Sequence, residues 1–392
     1  MLRSLFSGIS GLRAHQTMLD VTGNNIANVN TTGFKSSQAQ FQDTLSQVVT
    51  NAGGPQAGVG GTNPAQVGLG VRIAGITTNF QQGAAQLTNR STDMMISGDG
   101  FFVVEKGGEQ FYSRAGAFDF DATGQLVTPD GGLVQGWAAA ADGTIDVNGP
   151  LTDIRLPIAT LMGAAATGSA TFEGNLPSDA AAGTVLNRAI EVHGEDGTAS
   201  SLNLAFTRTA TGWDVTATRG GATVGTGALA FDAAGNLTGG ASLAAGPVTV
   251  DLAALTGYAG LTTVEASVQD GRAAGTLQSF MINADGTLLG TFSNGLKQPL
   301  GKVSLATFTN PAGLEKAGGS LYRTTVNSGD PQVGAAGSGG RGALSGGTLE
   351  MSNVDLSAEF TNLIIAQRGF QANSRVITTS DEMLQELVNL KR

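Results

Sequence analysis

From Leu356 to Leu390 the chain steps by four and three in turn: Leu356, Phe360, Leu363, Gln367, Phe370, Ser374, Ile377, Asp381, Leu384, Val388. One column of this heptad, Leu356, Leu363, Phe370, Ile377 and Leu384, is apolar throughout. The other turns polar at Gln367, Ser374 and Asp381. A mean spacing of ~3.5 draws a narrow seam along one side of a helix, meant for a second helix. No proline interrupts the stretch, and Gly369 is its only glycine. At ~1.5 Å per residue the helix is about 50 Å long. Asn353 is the expected N-cap, with Asp355 favourable in the first turn. The other end of the chain offers a partner: Leu2, Leu5, Ile9, Leu12, Gln16 and Leu19 also alternate three and four, predicting a helix from residue 2 to about 28. The two ends are expected to pair as a coiled coil that carries everything between them as an insert.

Between the ends the period falls to two. Val71 and Ile73, then Ile76, Thr78 and Phe80, read as a strand broken at Gly75. Phe101-Phe-Val-Val104 reads as a buried strand, and Lys106-Gly-Gly-Glu as the hairpin turn after it. Phe120-Asp-Ala-Thr-Gly-Gln-Leu126 returns as Phe231-Asp-Ala-Ala-Gly-Asn-Leu237, each with Asp to open a turn and Gly for a left-handed backbone. Further strands alternate at Ile190 and Val192, at Leu202, Leu204 and Phe206, and at Trp213 and Val215. Alternation resumes at Gln278, Phe280 and Ile282 and again over Lys302–Phe308. The resulting expectation is a multidomain α+β protein with nested all-β domains between long terminal helices. Residues 1–29 and 353–392 form the helical domain, 30–70 an extended glycine-rich connector arm, 71–157 and 276–352 a β-rich body, and 158–275 an inserted outer β-domain.

Composition sharpens this picture. Glycine numbers 59, which suits many short strands joined by tight turns. Charged residues are 13%, about half the usual share, so much of the surface is expected to meet protein rather than water. The net charge of -10 disfavours nucleic acid, which needs a basic footprint. No cysteine is present, which excludes disulfides and thiolate chemistry. No apolar run is long enough to span a bilayer. The first ten residues lack the continuous apolar segment and cleavage site of a secretory signal. Taken alone, this leads to the expectation of a cytoplasmic protein, or of one exported by a route that uses no such cleavable signal.

Candidate chemistry is sparse. His15 and His193 have no companions resembling a triad or a metal site. Asp119, Asp121, Thr123, Gly124 and Asp130 match the spacing of a calcium loop. The last position lacks the bidentate Glu, however, and the flanks read as strands, so a turn is the better reading. No phosphate loop is present. No catalytic residue, cofactor site or metal site is expected, and the chain is not read as an enzyme.

The segments Ser10-Gly-Leu-Arg-Ala-His-Gln-Thr-Met-Leu-Asp-Val and Asn24-Asn-Ile-Ala-Asn-Val-Asn-Thr-Thr-Gly-Phe-Lys35 resemble the N-terminal signature of bacterial flagellar rod and hook proteins. Tyr112-Ser-Arg-Ala-Gly-Ala-Phe118 and Asn310-Pro-Ala-Gly-Leu-Glu-Lys-Ala-Gly-Gly-Ser-Leu-Tyr322 resemble their body domain. Ala170-Thr-Phe-Glu-Gly-Asn-Leu-Pro177 resembles the start of the outer domain of hook proteins, and Ile365-Ala-Gln-Arg-Gly-Phe-Gln-Ala-Asn-Ser-Arg375 the C-terminal signature. The resemblance implies a structural subunit of the hook, a curved tube that carries motor torque to the filament, with terminal helices inside and β-domains outside. Asn24, Asn25, Asn28, Asn30, Gly33 and Phe34 would then form the turn after the tube-lining helix, and residues 30–70 an arm against neighbouring subunits. Implied partners are further copies of the chain, the distal rod protein, the hook cap protein, the hook–filament junction protein and the flagellar type III export apparatus. The implied location is the extracellular hook and basal body, with no nucleic acid and no membrane insertion. Two alternatives stand beside this: a distal rod subunit, disfavoured because rod proteins of this kind are shorter, and a secreted β-rich adhesin or enzyme.

The seams Leu2, Leu5, Ile9, Leu12 and Leu19, and Leu356, Phe360, Leu363, Phe370, Ile377, Leu384 and Val388, are the expected assembly residues. Ordering backbone costs about 1–2 kcal/mol per residue, against about 1.5–3 kcal/mol for each fully buried large apolar side chain. With only one residue in three or four on the seam, a lone helix or lone pair is marginal. The ends are therefore expected to fluctuate in the monomer and to fold fully on assembly.

Overall fold

A computed structural model describes residues 2–55, 58, 60–140, 142–156 and 161–390, without the side chains of Leu2, Leu161 and Leu387. The expected helices are present as α1 (Leu2–Ala27) and α2 (Leu356–Asn389). The chain divides into two compact units. The first comprises 1–156, 281–289 and 299–392, and the second 157–280 and 290–298. No helix among the described residues is long and apolar enough to cross a membrane.

In the first unit α1 and α2 pack against each other. Asn25 meets Glu359, the His15 ring lies over Gly369, Gly11 faces Asn373 and Gly8 faces Ile377. One residue number falls as the other rises by nearly the same step, so the helices run antiparallel. Asp355 caps α2, its carboxylate accepting from the backbone N–H of Ser357 at 2.8 Å and of Ala358 at 3.3 Å. Asn353, the residue expected to cap, is engaged elsewhere: its side chain accepts from Ser36 N–H and donates to the Asn79 and Gln81 carbonyls.

After α1 the extended connector takes the form of a long hairpin. Strands β1 (Ser37–Asp43) and β2 (Ser46–Thr50) run out, and β3 (Ala65–Gly68) and β4 (Val71–Thr78) return. β1 pairs with β4 and β2 with β3, both antiparallel. The alternation at Val71–Phe80, expected to open the body, is thus the returning leg of the arm. Residues 56, 57 and 59 of the connector lie outside the described residues.

The body follows with β5 (Ala85–Leu87), β6 (Met94–Ser97), β7 (Phe101–Lys106) and β8 (Glu109–Ser113). β7 and β8 form the hairpin read from the sequence, with Lys106 opposite Glu109. Antiparallel pairing extends this sheet through Leu133–Ala138 and Lys297–Thr307 on one side and through Leu321–Arg323 on the other. Phe101, Val103, Tyr112, Phe308 and Tyr322 form its core, with edge-to-face ring contacts. β6 pairs with Ala343–Gly346, and β5 with Thr348–Glu350, so the strands leading to and from the helices run together.

The second unit begins at residues 157–160, which lie outside the described set. It contains a five-stranded antiparallel sheet spanning 185–239 and a four-stranded sheet built on Ser169–Asn175 and Val248–Thr256. Both contribute to one core, where Phe172, Val192, Leu204, Phe206, Trp213 and Val250 are buried. The apolar positions read as strands at 190–215 are the inward-facing ones.

Candidate assembly interface

The contact line between the helices is built from small residues. On α1 the buried positions are Gly8, Gly11, Ala14, Thr22 and Asn25; on α2 Ala366 is fully buried. A Cβ at Gly11 would stand 2.6 Å from the Asn373 carboxamide, and one at Gly369 2.5 Å from the His15 ring. These glycines let the two backbones approach closely. The predicted α1 seam lies one position over, and Leu5, Ile9, Leu12 and Leu19 flank the line half-buried. The side chain of Leu2 lies outside the described residues.

On α2 the all-apolar column holds its place: Leu363, Phe370, Ile377 and Leu384 are partly buried. Its companion column shifts by one residue, to Glu359, Ala366, Asn373 and Ser380. Phe360, Gln367 and Asp381, expected on the seam, are exposed, and Leu356 lies at the rim. The cause is steric. Close approach selects the small Ala366, and the larger Phe360 is turned outward. Val388 lies on the seam side but past the last residue of α1 that the antiparallel register can supply, and it is 68% exposed.

Large apolar side chains therefore remain uncovered on α2. Phe360 and Ile364 sit one turn apart, and Ile365, Val376, Met383 and Leu390 follow at spacings that keep to one side of a helix. Phe360, Ile365 and Met383 are each half-exposed or more. Single exposed apolar residues are ordinary, whereas strips of them along a helix mark an interaction surface. The arm adds Leu45, Val48, Val49 and Val67, all exposed.

The asparagine-rich turn joins α1 to the arm. Asn25, buried, accepts from Ser37 N–H at 3.0 Å, and its amide donates to the Ser37 carbonyl and to Glu359. Asn28 donates back to the Asn24 carbonyl and side chain. Asn30 is exposed. Gly33 is left-handed at φ 66°, and a Cβ there would lie 2.5 Å from the Ala115 nitrogen. The Phe34 ring lies under the Lys316 ammonium at 5.0 Å. Burial pushes the Glu359 carboxyl up, with the hydrogen bonds from Asn25 and Thr22 opposing it.

Beside this turn stands a cluster to which the sequence reading gave no role. Lys35 and Glu350 are fully buried, with Nζ 2.7 Å from Oε1, and Arg114, 3% exposed, reaches the other carboxylate oxygen at 3.5 Å. The Lys35 ammonium also donates to the Gln81 carbonyl, Arg114 to the Gly98 carbonyl, and Gly83 N–H to Glu350. The Glu350 carbonyl accepts from Gly33 N–H at 2.7 Å. Burial lowers the pKa of Lys35 and outweighs its Glu350 partner; Arg114 is lowered by burial too. The available signal was three charges set among glycines and apolar residues in a chain with few charges.

The remaining candidates lie in turns and strands. Asp121 accepts from Thr123 and Gln125 N–H and Asp119 pairs with Arg90, and no cluster able to hold a metal occurs among the described residues. His193 stands 3.9 Å from Glu191.

Three family models match the chain: flagella basal body rod protein over residues 5–35, flagellar hook protein FlgE/F/G D1 domain over 95–166, and flagellar basal body rod FlgEFG protein C-terminal over 345–390. The flagellar hook protein FlgE of Borreliella burgdorferi is 40% identical, covering all of both chains, and that of Escherichia coli 37%, covering 98% of each. The flagellar basal-body rod protein FlgG of Bacillus subtilis is 35% identical over the whole of both. The crystal structure of Helicobacter pylori FlgE2 is similar in fold, with a TM-score of 0.54 at 14% identity, over 66% of this chain and 98% of that one.

Proposed function

The chain belongs to the flagellar hook protein family, as a structural subunit of the bacterial flagellar hook, and on that premise we propose how its parts share the work. The antiparallel helix pair lines the tube. Its uncovered apolar strips, Phe360 with Ile364 and Ile365 with Val376 and Met383, are the surfaces that neighbouring copies cover. The carrying observation is that α2 keeps large apolar residues exposed after α1 has packed against it. Assembly buries what a single chain leaves in water, at about 25 cal/mol for each Å² of apolar surface covered.

The terminal helices act as the coiled-coil seam expected from their heptads, with Leu5, Ile9, Leu12, Leu19, Leu363, Phe370, Ile377 and Leu384 packing within and between copies. The arm reaches a neighbouring subunit with Leu45, Val48 and Val49. The second unit, poor in charge, slides against its neighbours as the rotating tube bends. Charge substitutions across residues 158–275 that left hook bending unchanged would remove that part. The distal rod, hook cap, hook–filament junction and export machinery are the proposed partners at the ends and on the route outward.

The rod reading keeps one support. A rod-named relative, 35% identical, aligns with this chain from end to end, so both products have relatives that match it throughout. Electron microscopy of tubes assembled from the protein decides. Curved hollow tubes are expected for a hook, short straight tubes would support a rod, and failure to assemble would contradict both.

A further inference from the structure

Three chain connections join the helix pair and arm to the body: residues 28–36 leaving α1, 79–84 returning from the arm, and 347–355 entering α2. All three are tied to one residue. Lys35 from the first connection and Gly83 N–H from the second both contact Oε1 of Glu350, which itself stands in the third. Arg114, at the end of β8, brings the body sheet to the same carboxylate. Gly33 N–H closes the set on the Glu350 backbone carbonyl. Asn353 repeats the pattern one turn of chain away, binding Ser36 of the first connection and Asn79 and Gln81 of the second.

A buried ion triad is a poor way to gain stability, because stripping water from three charges offsets most of their attraction. The depressed Lys35 pKa, set first by burial, fits that balance. What such a triad does supply is direction. Charge-assisted hydrogen bonds of fixed geometry hold one arrangement, where apolar contacts accept several.

We propose that the Lys35–Glu350–Arg114 triad is the joint that fixes the angle between the terminal helix pair and the β-body, so that torque entering one passes to the other without a hinge. These are positioning residues, and only the torque they would carry rests on the hook reading. The joint itself belongs to the single chain.

The test uses the full-length chain, whose lack of cysteine leaves engineered thiols as the only ones. Spin labels at D20C on α1 and K106C on β7, both exposed positions, report the helix-to-body distance. They are compared in the parent, in a triad replaced by apolar residues (K35M, R114M, E350L), and in Glu350→Gln. The joint predicts that the apolar triple unfolds at a midpoint equal to or above the parent's. Its distance distribution should at least double in width, and Glu350→Gln should broaden it too. A distribution as narrow as the parent's in the folded triple overturns the proposal. So does a triple that loses its β-body fold, since the triad would then be supporting the fold itself. Tube formation is scored separately. A parent that makes no tubes contradicts the hook assembly scheme and leaves the distance result standing.

Discussion

Gly369 and His15 show how much one side chain decides here. The imidazole occupies the space a Cβ at Gly369 would need, and the Phe41 ring meets it at a tilt of 46° with ring centroids 5.5 Å apart. Gly369→Ala is expected to cost about 1–3 kcal/mol through overpacking, read from chemical unfolding followed by helical circular dichroism. His15→Ala in the same chain should recover most of the loss, because the two residues touch; additive effects would show that they do not. Glu350 is the second decisive residue. Glu350→Ala leaves two buried cations without a counter-charge and is expected to cost about 3–5 kcal/mol, against a near-neutral K35M/R114M/E350L triple. Equal losses in urea unfolding would mean that the carboxylate acts by packing alone. Gly369 was visible in the sequence as the one glycine in a long helix. Its reason was not, because the residue that needs the space is far away in the chain. Lys35, Arg114 and Glu350 stood inside recognisable segments, but a buried charge is identified by its partners, and those lie 79 or more positions apart in sequence order.

Helices and hairpins were legible to different depths. The ends of α1 and α2 followed from uninterrupted heptads, and the β7–β8 hairpin from Gly-Gly between alternating strands. The rotation of the helices about their axes was misread by one residue, since heptad reading follows large apolar residues while close packing follows small ones. The polar middle at Gln367 and Asp381 was the sign that this column faces outward. The hairpin of the arm was not legible because β2 and β3 are short and exposed on both faces, and the alternation of β4 reads equally well as the start of the body. Two element-scale outcomes follow. α2 outruns α1, so ending the chain after Glu382 should leave the helix pair folded while abolishing tube assembly; normal tubes from that chain would show that the overhang is idle. The repeated turns at Asp121 and Asp232 are held by backbone N–H donors, from Gln125 and Asn236 respectively, which lower both carboxyl pKa values. A depressed folded pKa gives a contribution complete above the ordinary aspartate value of ~3.9 and lost as pH falls through the folded value. Amide resonances of Gln125 and Asn236 should therefore titrate with midpoints below ~3.9; midpoints at or above it would contradict these turns.

At the scale of the whole molecule the chain is a folded body whose ends are only partly satisfied. The helix pair closes its own inner seam with glycine and alanine, and it sends Phe360, Ile364, Ile365, Val376 and Met383 into water. The sequence reading expected the ends to find their burial entirely in other copies. The structure divides that burial into an inner half made within the chain and an outer half left open. Hydrogen exchange measured on α2 in dilute monomer and again in assembled tubes tests this division most directly. Residues 356–382 should be partly protected in the monomer and 383–390 should exchange readily; both should become strongly protected in the tube, with the largest gain beyond residue 382, where α1 gives no cover. Equal protection in the two states would contradict the account, for the helices would then owe nothing to their neighbours.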